Sequence, residues 1–280
     1  MYLRKQYKLQ SLMSELILGN DTSLSIELIY NSITNDGFSK RTIELIDNYA
    51  KLILNGKVNL NQFNQQEHAG LCCAGEVLIG AYIVCCFAQA SFRTSANAGA
   101  SQTSVSNWKI DETQERLVQQ WAEAKQLWFA NAEADIELEY GSKIAQGAEA
   151  KVYYKQGDTS VIKMRTSIYA TLGRALESIV LHNALFPETA MKLIGFTRDA
   201  NELFRSINTQ PYISCQRLAT KQEIDDMVAI KGFTDNGDGT GVNYIGERLH
   251  LEDMHPANVF IDTISNNPVC IDCIVKFIRK

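Results

Sequence analysis

The stretch "KIAQGAEAKVYYKQGDTSVIKM" (residues 143–164) marks the point at which the chain changes from helix-like to strand-like sequence. β-Branched and aromatic residues lie on either side of "KQGDT", which predicts two strands joined by a turn. Ala145, Gly147 and Ala150 are small residues whose spacing lets a strand–turn–strand backbone approach phosphate groups and offer them N–H groups. An ordinary hairpin accounts for the same spacing, because only one of these three residues is glycine.

The sequence on the C-terminal side alternates short apolar strands with helices. Residue spacing predicts helices at 169–186 and 220–233, and strands at 191–196 and 203–213. After the loop "DNGDGTG" (235–241), "NVFID" and "NPVCIDCIVKF" predict a hairpin around "TISNNP". This order predicts an α+β fold, with a twisted antiparallel sheet and one helix braced against it.

The sequence on the N-terminal side has helical periodicity. "SLSIELIYNSI" (23–33) and "SKRTIELIDNYAKLIL" (39–54) carry apolar residues at three- and four-residue spacing, and Ser39 suits the cap of the second helix. The run "LCCAGEVLIGAYIVCCFAQA" (71–90) approaches membrane-spanning length, but Glu76 lies inside it. We therefore predict a buried helix here and no membrane partner.

A small, polar and aperiodic segment, "FRTSANAGASQTSVSN" (92–107), has the composition of a linker or mobile loop. A further helix is predicted from Asp111. We therefore expect a helical N-terminal domain over residues 1–110, with the Ser/Ala-rich linker at its end, and a second domain over residues 111–280.

Composition limits the possible classes of protein. The 280 residues are 45% hydrophobic and 21% charged, which is typical of a globular protein with a substantial core. The net charge of −5 argues against broad nucleic-acid binding, which needs a basic surface. Seven cysteines and a charged, amphipathic start favour reduced thiols in a cytoplasmic protein.

A lysine and a glutamate follow the small-residue hairpin. Lys163, in "VIK", could neutralise nucleotide phosphates, although a lysine in a strand is more often a solvated edge charge. Such a lysine needs an acid to hold it, and Glu177 in the next predicted helix is flanked by apolar residues. Farther on, "NTQPYIS" (208–214) could hydrogen-bond an adenine edge through its backbone, and a simple connector would look the same.

The turn "LEDMHPANVFID" (251–262) supplies polar groups directly before an apolar strand. Asp253 suits an acid near a nucleophile, and Asn258 could reach a metal from the same turn. Asp272, in "VCIDCI", is an acid in an apolar strand, which is unfavourable unless the acid is paired or metal-bound. Carboxylate and amide oxygens are ligands that Mg²⁺ prefers. Local turn capping explains Asp253 or Asn258 alone, but not the ordered set.

Other kinds of metal or redox site have weaker support in the sequence. Cys270-x-x-Cys273 has redox or half-zinc spacing, but no second pair is near it in sequence. The cysteine pairs of the apolar run suit core packing, and "DNGDGTG" lacks the acids of a calcium loop. His255 could act as a base, although we expect it to brace the turn.

The order of these motifs resembles the protein-kinase-like superfamily. "QQWAEAKQLWF…YGSKIAQGAEAKVYY" joined to "LEDMHPANVFID…VCIDCIV" is similar to the polyvalent protein kinase domain of phage and mobile-element proteins. The resemblance covers residues 111–280 and implies a protein-kinase-like fold with a minimal C-lobe, preceded by the helical domain.

The resemblance also implies site residues. Lys163 would contact the phosphates of ATP, Glu177 would brace it, and Asp253 would be the catalytic acid/base, while Asn258 and Asp272 would hold Mg²⁺. The nucleotide would also contact a further set of residues, namely Ala145, Gly147, Ala148, Val152, Gln210 and Tyr212.

The chain departs from the kinase pattern. Alanines replace glycines in the phosphate loop, and Cys273 follows Asp272 where protein kinases have Phe. We expect no activation segment, which removes the usual peptide-docking surface of a protein kinase and weakens the case for a protein acceptor. The acceptor, a protein or a small molecule, stays open. The sequence predicts an ATP/Mg-dependent phosphotransferase. A catalytically silent nucleotide- or partner-binding module, and an enzyme that transfers AMP, remain alternatives.

Overall fold

The computed structural model describes residues 17–18, 23–60, 63–96, 107–147, 149–166 and 171–278. Ala148 and residues 97–106 of the predicted linker lie outside these ranges. The helices are α1 (Ser23–Asp36), α2 (Lys40–Leu54), α3 (Gln65–Ala96), α4 (Asn107–Ala124), α5 (Ala132–Tyr140), α6 (Leu172–Leu185) and α7 (Lys221–Ile230).

Two short strands lie among the N-terminal helices, and the other strands follow α5. They are β1 (Ile17–Leu18), β2 (Asn59–Leu60), β3 (Lys143–Gln146), β4 (Ala150–Tyr153), β5 (Ser160–Thr166), β6 (Lys192–Arg198), β7 (Phe204–Pro211), β8 (Cys215–Leu218), β9 (Thr234–Asp235), β10 (Tyr244–Ile245), β11 (Leu249–Glu252), β12 (Val259–Asp262), β13 (Pro268–Cys270) and β14 (Ile274–Phe277).

The predicted N-terminal helices are present. The Ser39 side chain accepts a hydrogen bond from Thr42 N (3.2 Å), which confirms the predicted cap of α2. Helix α3 covers the apolar run, and Gly75 kinks it with φ +79°. The helix continues to Ala96, so the prediction that the linker begins at residue 92 is wrong. The helix can continue there without apolar periodicity, because small and polar residues still permit a helical backbone.

Within the described ranges, no single helix is both long enough and apolar enough to span a membrane. The two halves of α3, bent by 114° at the kink, pass the same test only when they are taken together. Residues Ile79, Val84 and Ala88 of the second half are buried in the protein core.

The central sheet has five antiparallel strands in the order β3-β4-β5-β7-β6. Strands β4 and β5 are the predicted pair around "KQGDT", and β3 is an additional strand. It forms because Gly147 N donates to Ala150 O (2.9 Å), which closes a tight turn between β3 and β4. The small-residue segment therefore lies at one end of the sheet.

Helix α6 packs between this sheet and the N-terminal helices. At Gly70 in α3, an added Cβ would lie 2.4 Å from the Val180 carbonyl oxygen, so the two helix backbones are in direct contact. Residues from the N-terminal helices, α6 and the C-terminal strands form one hydrophobic cluster, which includes Ile46, Trp121, Val180 and Val275.

The C-terminal strands form two small sheets, ordered β13-β12-β8 and β14-β11-β10-β9. The prediction of one continuous strand over "NPVCIDCIVKF" is wrong, because β13 and β14 belong to different sheets and Asp272 lies in the break. The side chains of Lys163 and Gln210 donate hydrogen bonds to the Ile271 carbonyl oxygen (2.8 and 3.0 Å). These bonds replace the main-chain hydrogen bond that this oxygen would accept in a continuous strand.

Candidate active site

A cleft of about 680 Å³ separates the five-stranded sheet from the C-terminal strands. It brings together most of the predicted site residues, namely Ala145, Gly147, Val152, Lys163, Gln210, Tyr212, Asp253, Asn258 and Asp272. Glu177 lies in α6, outside the residues that line the cleft.

Lys163 points from the middle of β5 into this cleft and is almost fully buried. Its Nζ donates to Ile271 O (2.8 Å) and lies 3.4 Å from Asp272 Oδ2. Burial lowers the pKa of Lys163, and the Asp272 carboxylate opposes that shift. The lysine is therefore a desolvated cation at the point where β5 meets the two residues that follow β13, Ile271 and Asp272, which we call the Asp272 segment.

Asp272 is held by a second cation that the sequence prediction missed. Arg165 Nη1 donates to Asp272 Oδ1 (2.7 Å). Burial raises the pKa of the Asp272 carboxyl, but Arg165 and Lys163 outweigh burial and hold this pKa well below its usual range. A signal for Arg165 was present, because residues two apart in a strand share a face and Arg165 follows Lys163 at that spacing.

Glu177 faces the N-terminal helices. The Tyr82 hydroxyl, in α3, donates to Glu177 Oε1 (3.3 Å) in a buried contact. In the described part of the chain, Lys163 forms an ion pair with Asp272. The bracing role of Glu177 stays a prediction. No sequence pattern pointed to Tyr82, which lies in the apolar run.

The Asp253–Asn258 turn is closed by its own side chains. Asn258 Nδ2 donates to the carbonyl and to Oδ2 of Asp253, each at 2.9 Å. Asp253 has φ +63°, which non-glycine residues rarely adopt, and its N–H donates to Asn243 Oδ1 (3.2 Å). His255 Nδ1 accepts from Ala257 N (3.2 Å), so this ring does brace the turn.

A main-chain hydrogen bond, Ile271 N to Asn258 O (2.9 Å), joins this turn to the Asp272 segment. The Asn258 amide nitrogen is used in the turn, so Oδ1 is the atom that Asn258 can offer to a metal. With the Asp272 carboxylate, it makes an oxygen donor set of the type that Mg²⁺ prefers. The residues present therefore fit a magnesium ion.

Glu149 connects the small-residue turn to the charged groups of the cleft. Its carboxylate lies 3.8 Å from Arg165 Nη2. Burial raises the pKa of Glu149, and the Arg165 guanidinium opposes this shift. Glu149 is another residue that the sequence prediction missed.

Gln210 and Tyr212 form the wall beside β5. The buried Gln210 amide donates to Thr189 O (2.7 Å) and Ile271 O (3.0 Å), so this side chain supports the Asp272 segment. Tyr212 stacks on Tyr154, with ring centroids 4.4 Å apart. The Tyr212 N–H donates to Thr159 O (2.9 Å) and is therefore engaged within the protein.

A lysine on the central sheet, an acid–asparagine turn and a separate aspartate around one cleft define the protein-kinase-like class. The family model of the Serine/Threonine/Tyrosine kinase found in polyvalent proteins matches residues 111–279. The chain belongs to this family, which confirms the resemblance seen in the sequence. Searches of curated proteins and of solved structures found no match.

Proposed function

We propose that this protein is a phosphotransferase that uses ATP and Mg²⁺. The observation that carries the proposal is the convergence of Lys163, Asp253, Asn258 and Asp272 on one cleft. Phosphoryl transfer depends mainly on positioning and on charge neutralisation, and these are the groups that such a cleft needs.

In this proposal each residue has a defined role. Lys163 binds the nucleotide phosphates, while Asp272 and Asn258 hold the Mg²⁺ ion. Magnesium, when bound, neutralises charge on the transferred phosphoryl group. Asp253, which is half-exposed in the cleft, orients the acceptor hydroxyl and accepts its proton.

The remaining assignments follow from the same proposal. The backbone around Gly147 and the side chain of Val152 contact the nucleotide, with Tyr212 at its edge. Residues 111–280 form the kinase-like domain with a minimal C-lobe, and residues 1–110 form the helical domain. The acceptor is a protein or a small molecule, and the site of action is the cytoplasm.

A thermal-shift experiment tests nucleotide binding. At a concentration about 100 times Kd, Mg²⁺-ATP contributes about 2.7 kcal/mol to the stability of the folded state, which corresponds to roughly 5 °C in Tm. The Asp272→Asn variant should lose most of this shift, because a neutral amide lacks the negative charge with which the carboxylate would hold the dication.

Asp226→Asn is the matched control. This change removes an exposed acid on α7, whose Oδ1 accepts from Gln222 Nε2 (2.9 Å), outside the residues that line the cleft. The control should keep the full Mg²⁺-ATP shift. Absence of any nucleotide-dependent shift in the unsubstituted protein would contradict the proposal.

A catalytically silent nucleotide-binding module is the second candidate. The Tyr82–Glu177 contact favours it, since the acid expected to brace Lys163 is directed to α3 in this structure. Turnover of ATP that is lost in Asp253→Asn supports the enzyme, and binding without turnover supports the module. Mass spectrometry of ATP-treated protein distinguishes an added phosphoryl group from an added AMP.

A further inference from the structure

A second cluster of side chains lies behind Asp272, on the side of helix α6. It consists of His182 from α6 and of Cys270 and Cys273, which flank the Asp272 segment. One ligand atom from each residue, the ring nitrogen and two sulfurs, lies within 4.8 Å of the others, and all three residues are buried. The fold thus brings His182 next to the Cys-x-x-Cys pair, for which the sequence showed no second pair of ligands nearby.

The spacing of these atoms suits a tetrahedral metal. With metal bonds of about 2.3 Å to sulfur and 2.1 Å to nitrogen, neighbouring ligand atoms lie roughly 3.5 to 3.8 Å apart. His182 Nδ1 is 3.3 Å from Cys273 Sγ. Met254 Sδ is 3.8 Å from Cys270 Sγ. Because the ligand atoms of His182, Cys270 and Cys273 already lie within 4.8 Å of one another, shifts of about 1 Å would bring these three to bonding distance from one ion.

The orientation of the histidine gives an independent reason to expect a ligand. Thr189 Oγ1 lies 2.6 Å from Cys270 O and 3.3 Å from both Phe186 O and His182 Nε2. We assign its hydroxyl hydrogen to the shortest of these contacts, with Cys270 O, which assigns the hydrogen of a neutral His182 ring to Nε2. The Nδ1 lone pair therefore faces the sulfurs. Metal-ligating histidines are fixed by an outer hydrogen bond of this kind.

Charge balance selects the type of metal. A dication that displaces one proton from each cysteine gives a unit with no net charge, which is compatible with a buried position. Thiolate, thioether and imidazole ligands favour zinc over magnesium or calcium.

We propose that His182, Cys270 and Cys273 bind a structural Zn²⁺ ion, with Met254 at the fourth position, and that this ion fixes the Asp272 segment against helix α6. The segment carries the Ile271 carbonyl, which accepts from Lys163 Nζ, as well as Asp272 itself. The zinc ion would therefore position cleft residues without touching a substrate.

Cobalt substitution tests this site in the 280-residue chain. We expect the purified protein to contain one zinc per chain. After removal of metal with a chelator under reducing conditions, one equivalent of Co²⁺ should give tetrahedral absorption bands and the charge-transfer intensity of two thiolates. Added Zn²⁺ should abolish both signals. Substoichiometric zinc, or a cobalt spectrum without thiolate bands, would overturn the proposal.

Variants identify the ligands. Cys270→Ser and Cys273→Ser should each remove one thiolate from the cobalt spectrum, whereas Cys85→Ser, at a buried thiol of α3 outside the cluster, should leave it unchanged. Thr189→Val should weaken Co²⁺ binding on the order of 10- to 100-fold, since it removes the outer partner of His182. Unchanged binding in both cluster variants would refute the ligand assignment.

A variant that keeps a metal ligand at position 182 distinguishes loss of a ligand from loss of folding. His182→Cys should retain one equivalent of Co²⁺ and add the charge-transfer intensity of a third thiolate. These readouts do not depend on ATP or on turnover, so the zinc proposal and the phosphotransferase proposal can fail separately. A spectrum of His182→Cys with only two thiolates would exclude His182 as a ligand.

Discussion

Charge balance around Asp272 explains how two cations can be buried next to the cleft. Lys163 and Arg165 both contact this carboxylate, and Glu149 lies 3.8 Å from Arg165. Two positive and two negative groups therefore compensate one another. Asp272 and Glu149 keep about a quarter or less of their side-chain surface exposed (21% and 25%), whereas both cations are below 10%. The carboxylates remain within reach of a ligand in the cleft.

Substitution of Arg165 tests this balance. Arg165→Met should lower the free energy of unfolding by roughly 3 kcal/mol, because breaking a buried ion pair leaves its partner incompletely compensated. Lys163 still contacts Asp272, which keeps the loss at the lower end of the range for buried pairs. Urea unfolding monitored by circular dichroism measures this change.

Arg198→Met is the control for loss of an arginine ion pair at the surface. Arg198 lies 2.9 Å from Glu115, and both side chains are partly exposed. This change should therefore cost less than about 1 kcal/mol. Equal losses in the two variants would mean that burial of the Arg165 pair has no special importance.

At the scale of elements, helix α6 is fixed at its beginning by helix α4. The first N–H groups of a helix have no partner within it. Asp111 Oδ1 accepts from Leu172 N (2.6 Å), and Gln114 Oε1 accepts from Gly173 N (2.8 Å). Farther along α6, Ser178 Oγ accepts from Val275 N (3.0 Å). The helix thus connects the N-terminal helices with the strand that follows Asp272.

The contact between α3 and α6 can be tested at Tyr82. Tyr82→Phe removes the hydroxyl that donates to Glu177, while it leaves the packing of the ring in place. A hydrogen bond to a buried carboxylate contributes about 1.5 kcal/mol, and we expect a loss of this size in the free energy of unfolding. Chemical denaturation of the variant measures the loss.

Tyr49→Phe is the matched control in the same group of helices. Within the described residues, the buried Tyr49 hydroxyl has no hydrogen-bond partner, and burial raises its pKa. Removing this hydroxyl should leave stability unchanged or increase it slightly. A larger loss in Tyr49→Phe than in Tyr82→Phe would contradict the assignment of the α3–α6 hydrogen bond.

The elements were predictable where local periodicity decides them. Helices α1, α2, α6 and α7 and the strand carrying Lys163 follow from residue spacing. The break at Asp272 was not predictable, because "VCIDCIV" has strand-like composition throughout. Donation from Lys163 and Gln210 to Ile271 O interrupts that strand, and local propensity contains no information on such distant donors.

The same distinction applies to the site. The motif order identified the residues that line the cleft, since each lies in a turn or strand with its own pattern. Tyr82 and His182 were missed because each looks like an ordinary core residue, and only tertiary packing brings them to Glu177 and Cys273. Arg165 could have been found from the strand period alone.

At the scale of the whole molecule, the N-terminal helices and the kinase-like region share one hydrophobic core. The two regions approach closely at Gly70, where an added Cβ would lie 2.4 Å from Val180 O and 2.7 Å from Ala184 N. Both neighbours belong to the backbone of α6, which cannot move aside as a flexible side chain can. To make room for an added methyl group at Gly70, helices α3 and α6 would have to move apart, and this would expose the hydrophobic core between them.

Gly70→Ala should therefore destabilise both parts of the molecule together. Alanine in a helix interior is normally more stable than glycine by about 1 kcal/mol, but overpacking against α6 should reverse the sign and cost about 3 kcal/mol. Native-state hydrogen exchange should show the same loss of protection in α2 and in β7. Ala69→Gly, at an exposed neighbouring position, should cost only about 1 kcal/mol through helix propensity. If Gly70→Ala reduces protection in the N-terminal helices alone, the shared core does not make the two regions unfold as one unit.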